Sequence, residues 1–145
     1  MKPILILLIA FFNLSSTEWR TDFPKAKQDA TQEHKFILLN FSGSDWCIPC
    51  IRMHEDVFEK TEFVDYAGSS LVLINADFPR LKKHKLTSEL QHQNDDLASQ
   101  YNPNGVFPLT VLLTADGKKI KTWEGNTRNA QELVSEIKTA ITSAQ

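Results

Sequence analysis

Beyond one pair, the chain has no cysteine. Cys47 and Cys50 are the only two in 145 residues. That scarcity excludes a framework of structural disulfides, the common device of small exported domains. It also argues against a structural zinc site, which takes four Cys or His ligands. The four histidines, His34, His54, His84 and His92, are scattered and form no pair at ligand spacing, so no metal is expected. Glycine is scarce as well, with five residues and no glycine-rich phosphate loop. An excess of one charge is missing: the formal net charge is −2, which gives no reason to expect a nucleic-acid partner. No apolar run is long enough to cross a bilayer. Ile4–Phe12 has nine residues, against the roughly 20 that a spanning helix needs. There is no internal repeat and no low-complexity tract.

At 41% hydrophobic and 23% charged, the remainder has the composition of one globular domain with a real core. The first residues read apart from it. Lys2 is a short positive head, Ile4–Phe12 has the length of a signal-peptide core, and Ser15 and Ser16 are small residues where cleavage could occur. Residues 1–16 are therefore expected to be a signal peptide and 17–145 the exported, periplasmic domain. No cysteine lies there, which excludes a lipid-anchored form. A buried N-terminal strand is the alternative, but no turn or polar alternation marks one. Removing 1–16 takes away one lysine and no acid, so the net charge becomes −3.

What is present is Trp46-Cys47-Ile48-Pro49-Cys50. Two thiols at this spacing can close as a disulfide and reopen as a dithiol. A C-x-x-C beside a strand-then-helix pattern reads as a redox pair, and thiol–disulfide exchange is the reaction it predicts. A purely structural bridge is the competing reading. It is weak, because closing so short a loop removes little entropy from the unfolded chain.

The pattern along the chain frames that motif. Asp22 to Glu33 reads as a helix with Thr21 as its cap. Phe36 to Phe41 and Leu71 to Asp77 are continuous apolar runs, the look of strands buried on both faces. A helix is expected from Cys47 to Lys60, with a short helical piece at Glu62–Ala67. Phe78–Lys85 is a loop carrying Arg80, Lys82, Lys83 and Lys85. It reads as solvated, with steering of an acidic partner as the alternative. Thr87 or Ser88 opens a polar helix to Tyr101. Asn102-Pro103-Asn104-Gly105 is a turn, Leu109–Thr114 and Lys119–Trp123 are strands joined at Asp116-Gly117, and a last helix follows Gly125. The order α-β-α-β-α-β-β-α implies an α/β fold, a central mixed sheet with helices on both faces.

Motif and order together resemble the thioredoxin superfamily over residues 17–145. Three features carry the resemblance: the buried strand leading to Asp45-Trp46-Cys47-Ile48-Pro49-Cys50 at a helix start, Gly105-Val106-Phe107-Pro108 before a strand, and Gly125 after the last hairpin strand. Exported thioredoxin-like domains, including the C-terminal domain of DsbD, are similar in layout. The resemblance implies that Cys47 is the exposed attacking thiol and Cys50 the resolving thiol. It also implies a cis bond before Pro108, substrate binding by Phe107 and Pro108, and docking at Trp46. No cofactor is implied, because the cysteines carry the electrons.

The chain departs from the family pattern at Asn40, where many thioredoxins carry a buried carboxylate. Asn cannot accept the Cys50 proton. At 100° per residue, Cys50, Ile51, Met53, Val57 and Phe58 share one helix face, and His54 falls within it one turn beyond Cys50. His54 is thus a candidate to tune the pair, against a core histidine bonded to the backbone. The expected protein is a monomeric protein-disulfide oxidoreductase. Its partners are protein thiols or disulfides and an upstream thiol donor or acceptor, with membrane contact only through an uncleaved signal. Pro49 favours a reductase, by resemblance to the C-x-P-C of thioredoxin. A disulfide-forming oxidase and a binding module without turnover are the rivals.

Overall fold

The protein is described here by a computed structural model covering residues 17–126 and 128–144. The expected signal segment, 1–16, lies outside the described residues. Two buried strands set the architecture. β1 (Trp19–Arg20) is a short edge strand, whereas β2 (Phe36–Ser42) and β3 (Leu71–Asp77) are the continuous apolar runs of the sequence. β2 and β3 pair in parallel from Phe36 opposite Leu71 to Ser42 opposite Asp77. A parallel pair needs a crossover, which the helices between them supply. β4 (Leu109–Leu113) lies antiparallel on the other side of β2, and β5 (Lys119–Glu124) completes the hairpin. At its tip Gly117 has φ 93°, which glycine adopts without a Cβ penalty. The sheet order is β1-β3-β2-β4-β5, with β1 parallel to β3. The expected order lacks β1, because two residues carry no periodicity.

The helices begin where side chains satisfy their first N–H groups. Asp22, rather than Thr21, caps α1 (Phe23–Glu33) by accepting from the Lys25 N–H at 2.9 Å, with Pro24 in the first turn. The segment after Cys47 is α2 (Ile48–Met53), continued by a π turn over His54–Phe58. In that turn the Glu59 N–H reaches the His54 carbonyl at 3.0 Å. α3 (Thr61–Ser70) follows. Thr87 caps α4 (Ser88–Tyr101) through the Leu90 N–H. Asn129 and Glu132 cap α5 (Ala130–Ala144) reciprocally, each side chain accepting from the other's backbone N–H.

Strand alternation divides the core into two layers. Ile37, Leu39, Phe41, Val72, Ile74 and Val111 face α1 and α4. Leu38, Leu73 and Leu112 face α2, α3 and α5. The result is the expected central mixed sheet with helices on both faces. The second face changes character along its strands. Leu38 is followed by Asn40 and Ser42, Leu73 by Asn75 and Asp77, and Leu112 is preceded by Thr110. Asn40 stands opposite both Asn75 and Thr110. The sheet is therefore polar at the end where α2 begins.

Candidate active site

Ser42-Gly43-Ser44-Asp45-Trp46 carries the chain from the end of β2 to Cys47. Two backbone bonds tighten it: the Trp46 and Cys47 N–H groups both reach the Gly43 carbonyl, at 3.2 and 2.8 Å. Gly43 is required by packing. A Cβ there would lie 2.2 Å from Cε2 of the Trp46 indole. Cys47 is the N-cap of α2, and its Sγ accepts from the Cys50 N–H at 3.3 Å. The two cysteines form a disulfide with Cα atoms 5.3 Å apart. Both are buried in this oxidised form, at 4% and 6% exposure. The expectation of an exposed Cys47 is corrected here. As the N-cap residue, Cys47 turns its side chain back onto the helix start, where its Sγ meets the Cys50 N–H.

The segment before β4 meets this site through aromatic edges. Phe107 packs edge-on to Trp46 with ring centres 5.5 Å apart, and edge-on to Phe78 at the same distance. The Phe107–Pro108 peptide bond is cis. The Asn102 side chain fixes the approach by donating to the Val106 carbonyl and accepting from its N–H, at 2.8 and 2.9 Å. Beyond it, the Gly125 N–H donates to the Pro108 carbonyl at 2.9 Å. Phe107 itself enters no backbone hydrogen bond among the described residues, so its N–H and C=O remain open to an extended chain.

A second group of contacts has no counterpart in the sequence reading. The Asp45 side chain, 5% exposed, accepts from the Arg80 N–H at 2.9 Å, the Leu81 N–H at 3.0 Å and His84 Nδ1 at 2.9 Å. The Arg80 and Leu81 N–H groups and His84 hold the Asp45 carboxyl down at about 2, against the opposing effect of burial. The Trp46 indole N–H donates to the Phe78 carbonyl at 2.7 Å, and the Arg80 guanidinium stacks 3.7 Å over the indole. The 78–84 loop is thereby tied to the two residues preceding Cys47. Its signal in the sequence was the run of cations alone, since the partners lie 35 to 39 positions apart.

Behind Cys50 is a cleft of about 350 Å³ lined by Asn40, Ser42, Asn75, Ile51, His54 and Glu59. Its floor is a polar network. Asn40 Nδ2 donates to Asn75 Oδ1 at 3.2 Å, Thr110 Oγ1 donates to Asn40 Oδ1 at 3.3 Å, and the Ser42 hydroxyl shares its hydrogen between Asn75 Oδ1 at 3.1 Å and Asp77 Oδ1 at 3.3 Å. His54 is not on the buried face. Its side chain is 52% exposed, with Nε2 3.4 Å from Glu59. The π turn explains the difference. It turns the chain through only about 80° per residue, which swings Val57 and Phe58 back toward Met53 and recentres the buried face near about −90° from Cys47. His54 is left on the flank of that face, at the cleft mouth. The structure thus brings Trp46, Cys47, Cys50 and Phe107 together, and gives His54 the cleft rather than the core. No group of three or more His, Cys, Asp or Glu among the described residues could hold a metal ion.

With that geometry in place, the comparisons decide the lineage. A family model described as a thioredoxin-like domain matches residues 23–141. The chain belongs to the thioredoxin-like family. Its fold is accordingly a thioredoxin fold. The thioredoxin-like chain is 33% identical over 127 residues to a protein of Chlamydia pneumoniae named disulfide bond reductase DsbH, covering 88% of this chain and 74% of that one. It is 29% identical to the thioredoxin-related protein DsbJ of the same organism, but spans only 29% of that longer relative. Among solved structures, a DsbH oxidoreductase superposes with TM-score 0.78 at 29% identity, covering 97% of this chain and 95% of the other. The oxidised C-terminal domain of Neisseria meningitidis DsbD shares the fold, with TM-score 0.59 at 16% identity over 85% of this chain and 99% of that domain.

Proposed function

We propose that the protein reduces disulfides in other proteins by thiol–disulfide exchange at Cys47 and Cys50. The observation that carries this reading is Cys47 at the N-cap of α2, its sulfur accepting the Cys50 N–H, with Phe107 packed edge-on against the adjoining Trp46. A sulfur in that position gains most from the N–H when it is a thiolate, which lowers its pKa below the usual value of about 8.5. The similarity to a relative named as a disulfide bond reductase supports the direction.

In the dithiol form the Cys47 thiolate attacks one sulfur of a substrate disulfide. A Cys47–substrate bond forms, the substrate S–S bond breaks, and one substrate thiolate leaves and takes a proton. Cys50 then loses its proton and attacks Cys47 Sγ. The Cys47–Cys50 disulfide forms, the mixed disulfide breaks, and the second substrate thiolate leaves. The substrate has gained two electrons and two protons, and an upstream dithiol must return the electrons. Proximity favours the second step over escape of the mixed disulfide. Phe107 and Pro108 present the edge along which the substrate lies, and Trp46 walls it.

With Asn40 at the strand position, the Cys50 proton leaves through the cleft. His54 at its mouth, held by Glu59, is the group that receives it through water. No other cofactor takes part. Residues 1–16 serve as the export signal, and the 17–145 domain works as a monomer in the periplasm. Support for this placement is the Lys2 and Ile4–Phe12 pattern, and N-terminal sequencing of the secreted protein tests it. Among the described residues no helix is long and apolar enough to cross a membrane.

The test of the activity is insulin reduction together with the potential of the cysteine pair. Turnover and a potential near about −270 mV are expected. A potential near about −120 mV would make the protein an oxidant instead. Binding without turnover would make it a module.

A further inference from the structure

The loop from Phe78 to Leu86 carries positive charge and an exposed apolar side chain and is tied to the residues leading into the disulfide. Residues 78–88 contain Arg80, Lys82, Lys83 and Lys85 and no acid, in a chain whose net charge is −2. Lys82, Lys83 and Lys85 are exposed, and no ion pair among the described residues engages them. The two aspartates on the strand-end loops beside it, Asp45 and Asp77, are already occupied. Asp45 is buried beneath it with three donors, and Asp77 is bonded to Ser42 and Ser44. Two large apolar side chains of the described residues are exposed, Ile48 at 58% and Leu81 at 47%. One adjoins Cys47 in sequence, and the other follows Arg80.

The loop is also held in place, which separates it from an ordinary solvated turn. The Asp45 clamp, the Trp46–Phe78 hydrogen bond and the Arg80–Trp46 stack fix it to the residues leading into Cys47. Lysines on a fixed loop beside a reactive sulfur attract a partner carrying the opposite charge. Their neutralisation by that partner needs no rearrangement of the loop.

We propose that this loop selects substrates, docking protein disulfides flanked by acidic and apolar residues in preference to those flanked by basic ones. The proposal rests on the reductase reading and narrows its substrate class. The attraction acts on the encounter, so it appears in the second-order rate constant and is removed by salt.

The test uses the reduced chain and three synthetic disulfide peptides identical except for the residues flanking the cysteines: Asp, Ser or Lys. Single-turnover reduction is followed at about 10 mM and about 1 M ionic strength. The Asp-flanked peptide should react at least about tenfold faster than the Lys-flanked one at low salt, with the difference collapsing at high salt. Lys82→Ser/Lys83→Ser should reduce that ratio several-fold. Lys118→Ser/Lys119→Ser removes the same charge from the far end of the β4–β5 hairpin and should retain the ratio. Equal rates for the Asp and Lys peptides, or a ratio that both double variants lower equally, overturn the proposal and leave the reductase reading intact. No reduction of any peptide, the Ser-flanked one included, overturns both.

Discussion

Replacing Gly43 by alanine probes the packing that presents Trp46 and Cys47. The added Cβ would sit 2.2 Å from Cε2, 2.5 Å from Nε1 and 2.6 Å from Cζ2 of the Trp46 indole. These are far inside van der Waals contact, and an indole has no flexible end to yield. Two responses are open. The ring can stay, with local backbone shifts of the overpacking kind, which cost about 1–3 kcal/mol. Alternatively it can leave, giving up the Nε1 bond to the Phe78 carbonyl and the Arg80 stack, which together contribute about 1–2.5 kcal/mol. The molecule takes the cheaper course, so Gly43→Ala should destabilise by about 1–2.5 kcal/mol. For a domain of this size that lowers Tm by roughly 3–9 °C. Both courses disturb the Trp46 wall of the proposed substrate edge, so insulin reduction should also slow. Thermal unfolding followed by circular dichroism, with tryptophan emission reporting the indole, measures the effect. A variant with the wild-type Tm, emission and reductase rate would refute the account of the Gly43–Trp46 contact.

Two further variants separate the clamp from the cleft. The Asp45 carboxyl is lowered from 3.8 to about 2 in the fold, chiefly by the Arg80 N–H. A depressed carboxylate contributes stability that is complete above its unfolded pKa and is lost as pH falls through the folded one. Asp45→Asn should therefore be less stable than wild type at pH 7, with the two unfolding midpoints converging as pH drops from about 4 toward about 2; curves that stay parallel across that window contradict the clamp. His54→Gln should fold with the wild-type Tm, because the side chain is half exposed. It should slow disulfide exchange by about tenfold. An unchanged rate would leave water or Glu55 as the Cys50 proton acceptor.

The parts of the fold legible in the sequence are those written locally. β3 spans Leu71–Asp77, the bounds of its apolar run, and Thr87 caps α4 as its residue type suggests. The redox pair was legible because two cysteines at one spacing admit few chemistries. Three features were not legible, each for a physical reason. β1 is too short to show a period. The π turn adds a residue that a uniform helical wheel cannot see, and this moved His54 from the expected buried face to the cleft mouth. The Asp45 clamp joins residues separated by α2, α3 and β3, so its acceptor and its donors carry no common local pattern. The exposure of Cys47, 4% in the oxidised form, is likewise set by tertiary packing, which no local pattern records.

The central claim is the division of labour between the sulfurs, and trapping tests it most directly. Cys47→Ser and Cys50→Ser proteins are reduced, mixed with an oxidised protein substrate and analysed by non-reducing mass spectrometry. The account predicts that Cys50→Ser accumulates a mixed disulfide through Cys47, since the resolving thiol is gone, while Cys47→Ser accumulates almost none. Equal trapping by both variants, or trapping through Cys50 alone, would contradict it.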